Sequence, residues 1–166
     1  SQRGYYIEDE GANGVDTLIN GQFYDLSDPL QNNTSSAITV TGVLITGAYG
    51  YMNNDVNATD DLTLRIYQCA RNGTDPDSTI TTTLRDTYVY EGDNSTHFSG
   101  TGNKFFNGCL DRTFASSFSL AVGESIKFEL QPTNFSGNGF YYSTAKAAIP
   151  DNATGRMSWS LQLKVA

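Results

Sequence analysis

The sequence predicts an all-β fold, a two-sheet antiparallel sandwich. Three observations predict it. Apolar residues recur at every second position and not at helical spacing. Thr, Ser, Asn, Gly and Tyr are plentiful while Lys and Glu are scarce, a usage that disfavours helices. Clusters of turn-forming residues punctuate the chain at short intervals.

The clearest strand closes the chain. Trp159, Leu161, Leu163 and Val165 alternate with Ser158, Ser160, Gln162 and Lys164. Ile126, Phe128 and Leu130 alternate in the same way with Ser125, Lys127, Glu129 and Gln131. Such strands have one buried face and one wet face. Phe118 and Leu120 lead through Val122-Gly123-Glu124 into that second strand, a tight hairpin signal. Upstream, Leu62, Leu64 and Ile66 alternate with Thr63, Arg65 and Tyr67. The stretch Ala37 to Gly47 is apolar on both faces, with Ile38, Val40 and Leu44 on one and Val43 and Ile45 on the other. It reads as a central strand or as one covered by a partner chain. Thr79 to Tyr90 is a further strand, and weaker ones cover Thr17 to Tyr24, Phe114 to Phe118 and Gly139 to Ser143. Loops lie at Asn32 to Ser36, Asn53 to Asp61, Asn72 to Ser78 and Gly92 to Gly102. About eight to ten short strands at this spacing suit a sandwich of jelly-roll type.

A chain of 166 residues is one domain of ordinary size, large enough to bury a core without staples. Ser1 to Gly14 stands apart as a short polar segment around Tyr5 and Tyr6, either an arm for a neighbouring subunit or a first edge strand. Residues 15–166 form the sandwich domain. The formal net charge is -8, which repels phosphate backbones and anionic lipids. Nucleic-acid binding is not expected, and no stretch reaches the ~18 apolar residues of a membrane span. Ser1-Gln2-Arg3-Gly4 is not a signal peptide, so either a removed signal or a lost initiator Met precedes Ser1.

The run Leu120-Ala121-Val122-Gly123-Glu124-Ser125-Ile126-Lys127-Phe128-Glu129-Leu130 resembles the penultimate hairpin of tumour-necrosis-factor-like and complement-type globular heads. The final strand, Ser158 to Val165, is similar to that family as well. Similar hairpins occur in viral capsid-decoration and receptor-binding domains. The resemblance covers the last third of the chain, and it implies a jelly roll that forms trimers.

Catalytic chemistry is thinly provided. His97 is the one histidine, in the loop Asp93-Asn94-Ser95-Thr96-His97, and no nucleophile-elbow motif accompanies it. A solvated loop histidine is the expectation, and an enzyme is not expected. Asn53 to Asp61 is an oxygen-rich loop whose Asp55, Asn57, Asp60 and Asp61 make a weak calcium candidate. The alternative there is a turn with local hydrogen bonds, and no other cofactor is expected. Cys69 and Cys109 lack metal-ligand spacing and are expected to form one disulfide in an oxidising setting.

Seven Asn-X-Ser/Thr motifs occur, at Asn32, Asn33, Asn57, Asn72, Asn94, Asn134 and Asn152, where composition predicts about three. All but Asn32 are taken as glycosylation candidates. The excess suits a glycan-coated extracellular protein or an Asn/Thr-rich particle protein. Spare aromatics remain as interface or ligand candidates: Tyr5, Tyr6, Tyr49, Tyr51, Tyr88, Tyr90, Tyr141 and Tyr142. The expected role is structural: a self-associating virion-surface domain for capsid decoration or attachment, expected as a homotrimer. A glycosylated subunit of an extracellular filament or coat and a carbohydrate-binding module are the alternatives.

Overall fold

A computed structural model describes residues 5–6, 16–18, 21, 24–26, 29–46, 49–52, 56–70, 82–102, 104–134, 140–142 and 158–166. Every regular element among them is a strand. In chain order these are β1 (Tyr5–Tyr6), β2 (Asp16–Leu18), β3 (Tyr24–Asp25), β4 (Leu30–Gln31), β5 (Ile38–Thr46), β6 (Tyr49–Met52), β7 (Asp61–Cys69), β8 (Thr82–Tyr90), β9 (Phe98–Ser99), β10 (Lys104–Asn107), β11 (Leu110–Leu120), β12 (Ser125–Thr133), β13 (Phe140–Tyr142) and β14 (Ser158–Val165). All pairings are antiparallel.

The strands make an all-β sandwich. One layer runs β1-β14-β5-β11, and the other runs β3-β12-β7-β8 with β4 also on β12. A smaller sheet, β2-β13-β6-β10-β9, prolongs the first layer. Its β6 follows β5 after residues 47–48, and β11 follows β10 after Gly108 and Cys109, so two chain segments run through both sheets. Successive long strands change layer at β4 to β5, β5 to β7, β8 to β11, β11 to β12 and β12 to β14.

The core is one cluster between the layers. Leu62, Leu64 and Ile66 of β7 and Ile126, Phe128 and Leu130 of β12 meet Val40, Val43 and Ile45 of β5 and Leu161 and Leu163 of β14. Period-two alternation placed these residues correctly on β7, on β12 and, for Leu161 and Leu163, on β14. Burying each such side chain contributes about 1.5–3 kcal/mol before chain entropy is set against it.

β5 departs from the expected two-faced strand. Lys164 stands opposite Gly42 and Val165 opposite Val40, so Thr41 is an extra residue on β5. This bulge inverts the alternation. Val40 lies on the core side before it, and Val43 and Ile45 lie on the core side after it. What reads as two apolar faces is therefore mostly one, and Leu44 alone keeps the other side, half-buried. Val165, opposite Val40 at the last position of β14, is 48% exposed. On the other flank of β5, β11 shifts register between Thr113 and Phe118. Its backbone there lies so close to β5 that a Cβ at Gly42 would overlap the Arg112 carbonyl.

Tyr5 and Tyr6 pair with Trp159 and Ser158 of the same chain, at the outer edge of the first layer. The rest of residues 1–14 lies outside the described residues.

Candidate interaction surface

The small sheet carries the most distinctive residue row. Its register sets Tyr141 opposite Tyr51, and Tyr51 opposite Phe105, across β13, β6 and β10. The neighbouring row is Tyr142, Gly50, Phe106 and Phe98. Phe106 and Phe98 of that row are buried in the core. Alternate residues of a strand face opposite sides of a sheet. Tyr49 and Phe105, at the alternating positions, therefore belong to the face away from the core. Tyr49, two positions from Tyr51 on the same strand, is 52% exposed, and Phe105 is half-buried. A hydrogen bond with Cys109 pushes the Tyr49 hydroxyl up from its ordinary pKa.

A second exposed strip lies on β8, an edge strand. Leu84 stands opposite Tyr67, Thr87 opposite Arg65, and Val89 opposite Thr63. Leu84 is 50% exposed, and Val89 is exposed beside it. Arg65 donates to Gln131 at 2.9 Å and lies 3.9 Å from Glu129. Desolvation, and then the nearby Glu129 carboxylate, raise the Tyr67 pKa.

β8 and β11 are both edge strands, and side chains join them across the open side of the sandwich. Arg112 donates through Nε and Nη2 to the two carboxylate oxygens of Asp86, at 2.5 and 3.1 Å. Its guanidinium also lies 5.2 Å from the Tyr88 ring centre. A register shift between Ile66 and Tyr67 makes Arg85 an extra residue on β8. Arg85 donates to Gln68 Oε1 at 2.9 and 2.6 Å and covers the Phe118 ring at 4.6 Å. Gln68 in turn donates to the Ser119 carbonyl on the other layer.

Beneath this edge lies an aromatic cluster of Tyr88, Tyr90, His97, Phe98 and Phe106 with ring centres 4.8–5.6 Å apart. His97 is 4% exposed, which corrects the expectation of a solvated loop histidine. Its Nδ1 lies 2.8 Å from the Asn107 carbonyl, and its Nε2 lies 2.7 Å from the Tyr88 hydroxyl. A carbonyl only accepts, so Nδ1 donates to it, and Nε2 shares a hydrogen bond with the Tyr88 hydroxyl. Both ring nitrogens are committed to pinning the 91–102 excursion onto β8 and β10. Tyr90 is fully buried and donates to the Gly108 carbonyl at 2.8 Å, so it belongs to the core and not to an interface. Burial drives its pKa well above the ordinary tyrosine value, and Tyr88 is raised by the same cause.

The expected disulfide is absent: neither Cys69 nor Cys109 is in one. Cys69 ends β7 opposite Ser125, at the β11–β12 hairpin end. Cys109 immediately precedes Leu110, at the far end of β11. At about 3.3 Å per strand residue, β11 puts roughly 30 Å between those ends, against the ~7 Å Cα limit for a disulfide. Both cysteines sit at strand ends, but at opposite ends of the sandwich.

Of the calcium candidates, Asn57, Asp60 and Asp61 lie at the turn that leads into β7. Asp60 is buried, and its Oδ2 accepts from the Asn57 backbone and side-chain amides at 2.8 and 3.3 Å. Asp61 accepts from Gly92 N at 3.2 Å, and Asp55 lies outside the described residues. No group of three or more metal-ligating side chains occurs among the described residues.

Of the glycosylation candidates, Asn33, Asn57 and Asn134 are exposed and Asn94 is half-buried. Asn72 and Asn152 lie outside the described residues. Asn32, excluded from the candidates, is 3% exposed. Its Nδ2 donates to Ser36 and Leu120 carbonyls at 3.0 and 2.9 Å, and its Oδ1 accepts from Thr34 N and Oγ1. Sequence reasoning missed the Arg112–Asp86 clasp and the Leu84–Val89 strip. Charge signs alone do not reveal which strands become neighbouring edges of two layers.

No family model, no curated protein and no solved structure matches this chain. The case for function therefore rests on the residues themselves. No helix among the described residues is long and apolar enough to cross a membrane.

Proposed function

We propose that this protein is a non-catalytic structural domain that self-associates, as a virion-surface decoration or attachment protein working as a homotrimer. The observation that carries this reading is the Tyr141-Tyr51-Phe105 row beside exposed Tyr49. Tyrosine-rich patches suit protein contacts because each ring adds large area at small entropy cost. The layer-changing strand order supports a jelly roll of the tumour-necrosis-factor-like kind, since consecutive layer crossings make nested Greek keys. The non-catalytic part draws on His97, whose two nitrogens are engaged in fixing a loop. Sedimentation at micromolar concentration tests the proposal. A trimer that Tyr49→Ser with Tyr51→Ser converts to monomer is the expected result. A wild-type species of only 18.1 kDa would overturn it.

A carbohydrate-binding module is the second reading, favoured by the same row, because aromatic faces also stack on sugar rings. A glycan array separates the two: saturable binding by a monomer that Tyr49→Ser abolishes selects the module. The remaining alternative, a glycosylated filament or coat subunit exported from its cell, draws on the excess of Asn-X-Ser/Thr motifs.

A further inference from the structure

Three Asn-X-Ser/Thr motifs that are distant in sequence meet at one end of the sandwich. Asn57 opens the turn before β7 and is exposed. Asn134 follows β12, is exposed, and donates from Nδ2 to the carbonyl of Thr59, the third residue of the Asn57 motif, at 2.8 Å. Asn94 lies in the turn after β8. Gly92 of that turn packs so closely on the Asn57–Asp60 segment that a Cβ there would overlap the Asn57 and Asp60 carbonyls. The hydroxyl residues Thr59 and Thr96 are exposed. Asn32 and Asn33 stand at the opposite end, beside the β11–β12 hairpin, where Asn32 N donates to the Glu124 carbonyl.

We propose that the Asn57-Asn94-Asn134 end is a glycan-bearing pole. In an N-glycosylating export pathway these three side chains accept Asn-linked oligosaccharides, whereas Asn32 carries none in the folded protein. The inference rests on the exported-glycoprotein reading above. In the transfer, the amide Nδ2 bonds to the anomeric carbon of a lipid-diphosphate oligosaccharide. The carbon–oxygen bond to the diphosphate breaks, the lipid diphosphate leaves, and one amide proton is lost.

The hydrogen bonds separate acceptors from non-acceptors. A glycosylated asparagine retains one N–H. Asn134 needs one donor for Thr59, and Asn57 needs one for Asp60, so both keep their contacts. Asn94 accepts from Thr96 N through Oδ1, an atom the transfer leaves unchanged. Asn32 uses both amide protons on two carbonyls inside the fold. A sugar on its nitrogen would remove one bond and force a polar ring into a closed site. Oligosaccharides at the pole would keep that end out of subunit contacts and leave the sheet faces for assembly.

The test is site mapping of the full chain exported through a cultured eukaryotic secretory pathway. Enzymatic release of Asn-linked glycans in heavy-oxygen water marks each formerly occupied Asn as a labelled Asp. Secreted and cell-retained protein are mapped in the same way. Labelling of at least two of Asn57, Asn94 and Asn134, with Asn32 unlabelled in secreted protein, is the expected result. Labelling of fewer than two, or of Asn32 in secreted protein, would overturn the proposal. The intact mass of the protein from its native source tests the export reading separately. An unmodified native mass beside an occupied pole in the secretory host sinks that reading alone.

Discussion

Arg112 and Asp86 close the open side of the sandwich. They come from the edge strands of different layers and make a two-point hydrogen bond, with the arginine also lying over Tyr88. The carboxylate and its own desolvation act oppositely on the Arg112 pKa, and the Asp86 hydrogen bond prevails and raises it.

Removing one partner should expose the value of this clasp. Asp86 is the more buried of the two, at 14% side-chain exposure against 34% for Arg112. Asp86→Ala should cost about 2 kcal/mol, between the values typical of surface and buried pairs. The double variant Asp86→Ala with Arg112→Met should cost less than Asp86→Ala alone, because no orphaned charge remains. Urea unfolding of the three proteins measures this, and equal losses would place the pair among inert surface contacts.

Asn32→Ala should be among the most damaging polar substitutions. It strands the Leu120 carbonyl and frees Thr34 at the base of the β11–β12 hairpin, while the Ser36 carbonyl keeps the Thr34 hydroxyl. A loss of about 2–4 kcal/mol is expected, read by thermal or urea unfolding. Asn33→Ala next to it, exposed, should change stability by less than about 0.5 kcal/mol.

Both cysteines should react as thiols. Mass tagging in denaturant without reductant should count two, and reductant should leave the melting temperature unchanged. In native protein Cys109 should tag first, since Cys69 is fully buried. A single tagged product linking the two positions would contradict the separation of their strand ends.

Alkaline pH should destabilise the fold through its tyrosines. The folded pKa of Tyr90 lies well above the unfolded value near 10 because its hydroxyl is buried, and Tyr88 and Tyr67 are raised as well. The folded protein therefore holds protons that the unfolded chain releases. Stability is full below about pH 10 and falls as pH rises beyond it. Tyr90→Phe should cost about 1–2 kcal/mol at neutral pH, by stranding the Gly108 carbonyl, yet flatten the alkaline decline. Denaturant midpoints from pH 7 to 11 decide it.

Gly42→Ala should fail for steric reasons. The added methyl meets the Arg112 backbone, which cannot yield without parting β5 from β11. A loss of about 3 kcal/mol or more is expected from overpacking, with far-ultraviolet dichroism and unfolding as the measurement.

The sequence by itself determined the class of this protein and most of its core. Leu62, Leu64, Ile66, Ile126, Phe128, Leu130, Leu161 and Leu163 were legible because alternation is local: a strand with one wet face writes its inside and outside into neighbouring positions. The Gly123 turn was legible for the same reason, its φ of 86° being a demand on one residue. The tertiary structure decided what depends on partners far along the chain. The Thr41 bulge turned a two-faced reading of β5 into a single core face. Layer order set Cys69 and Cys109 at opposite ends, and it brought Asp86 to Arg112 and Asn134 to Thr59. Burial of His97 also came from non-local packing, on Tyr88 of β8 and Asn107 of β10. Register and layer pairing are settled by the whole core packing at once, and no window of neighbouring residues carries that information.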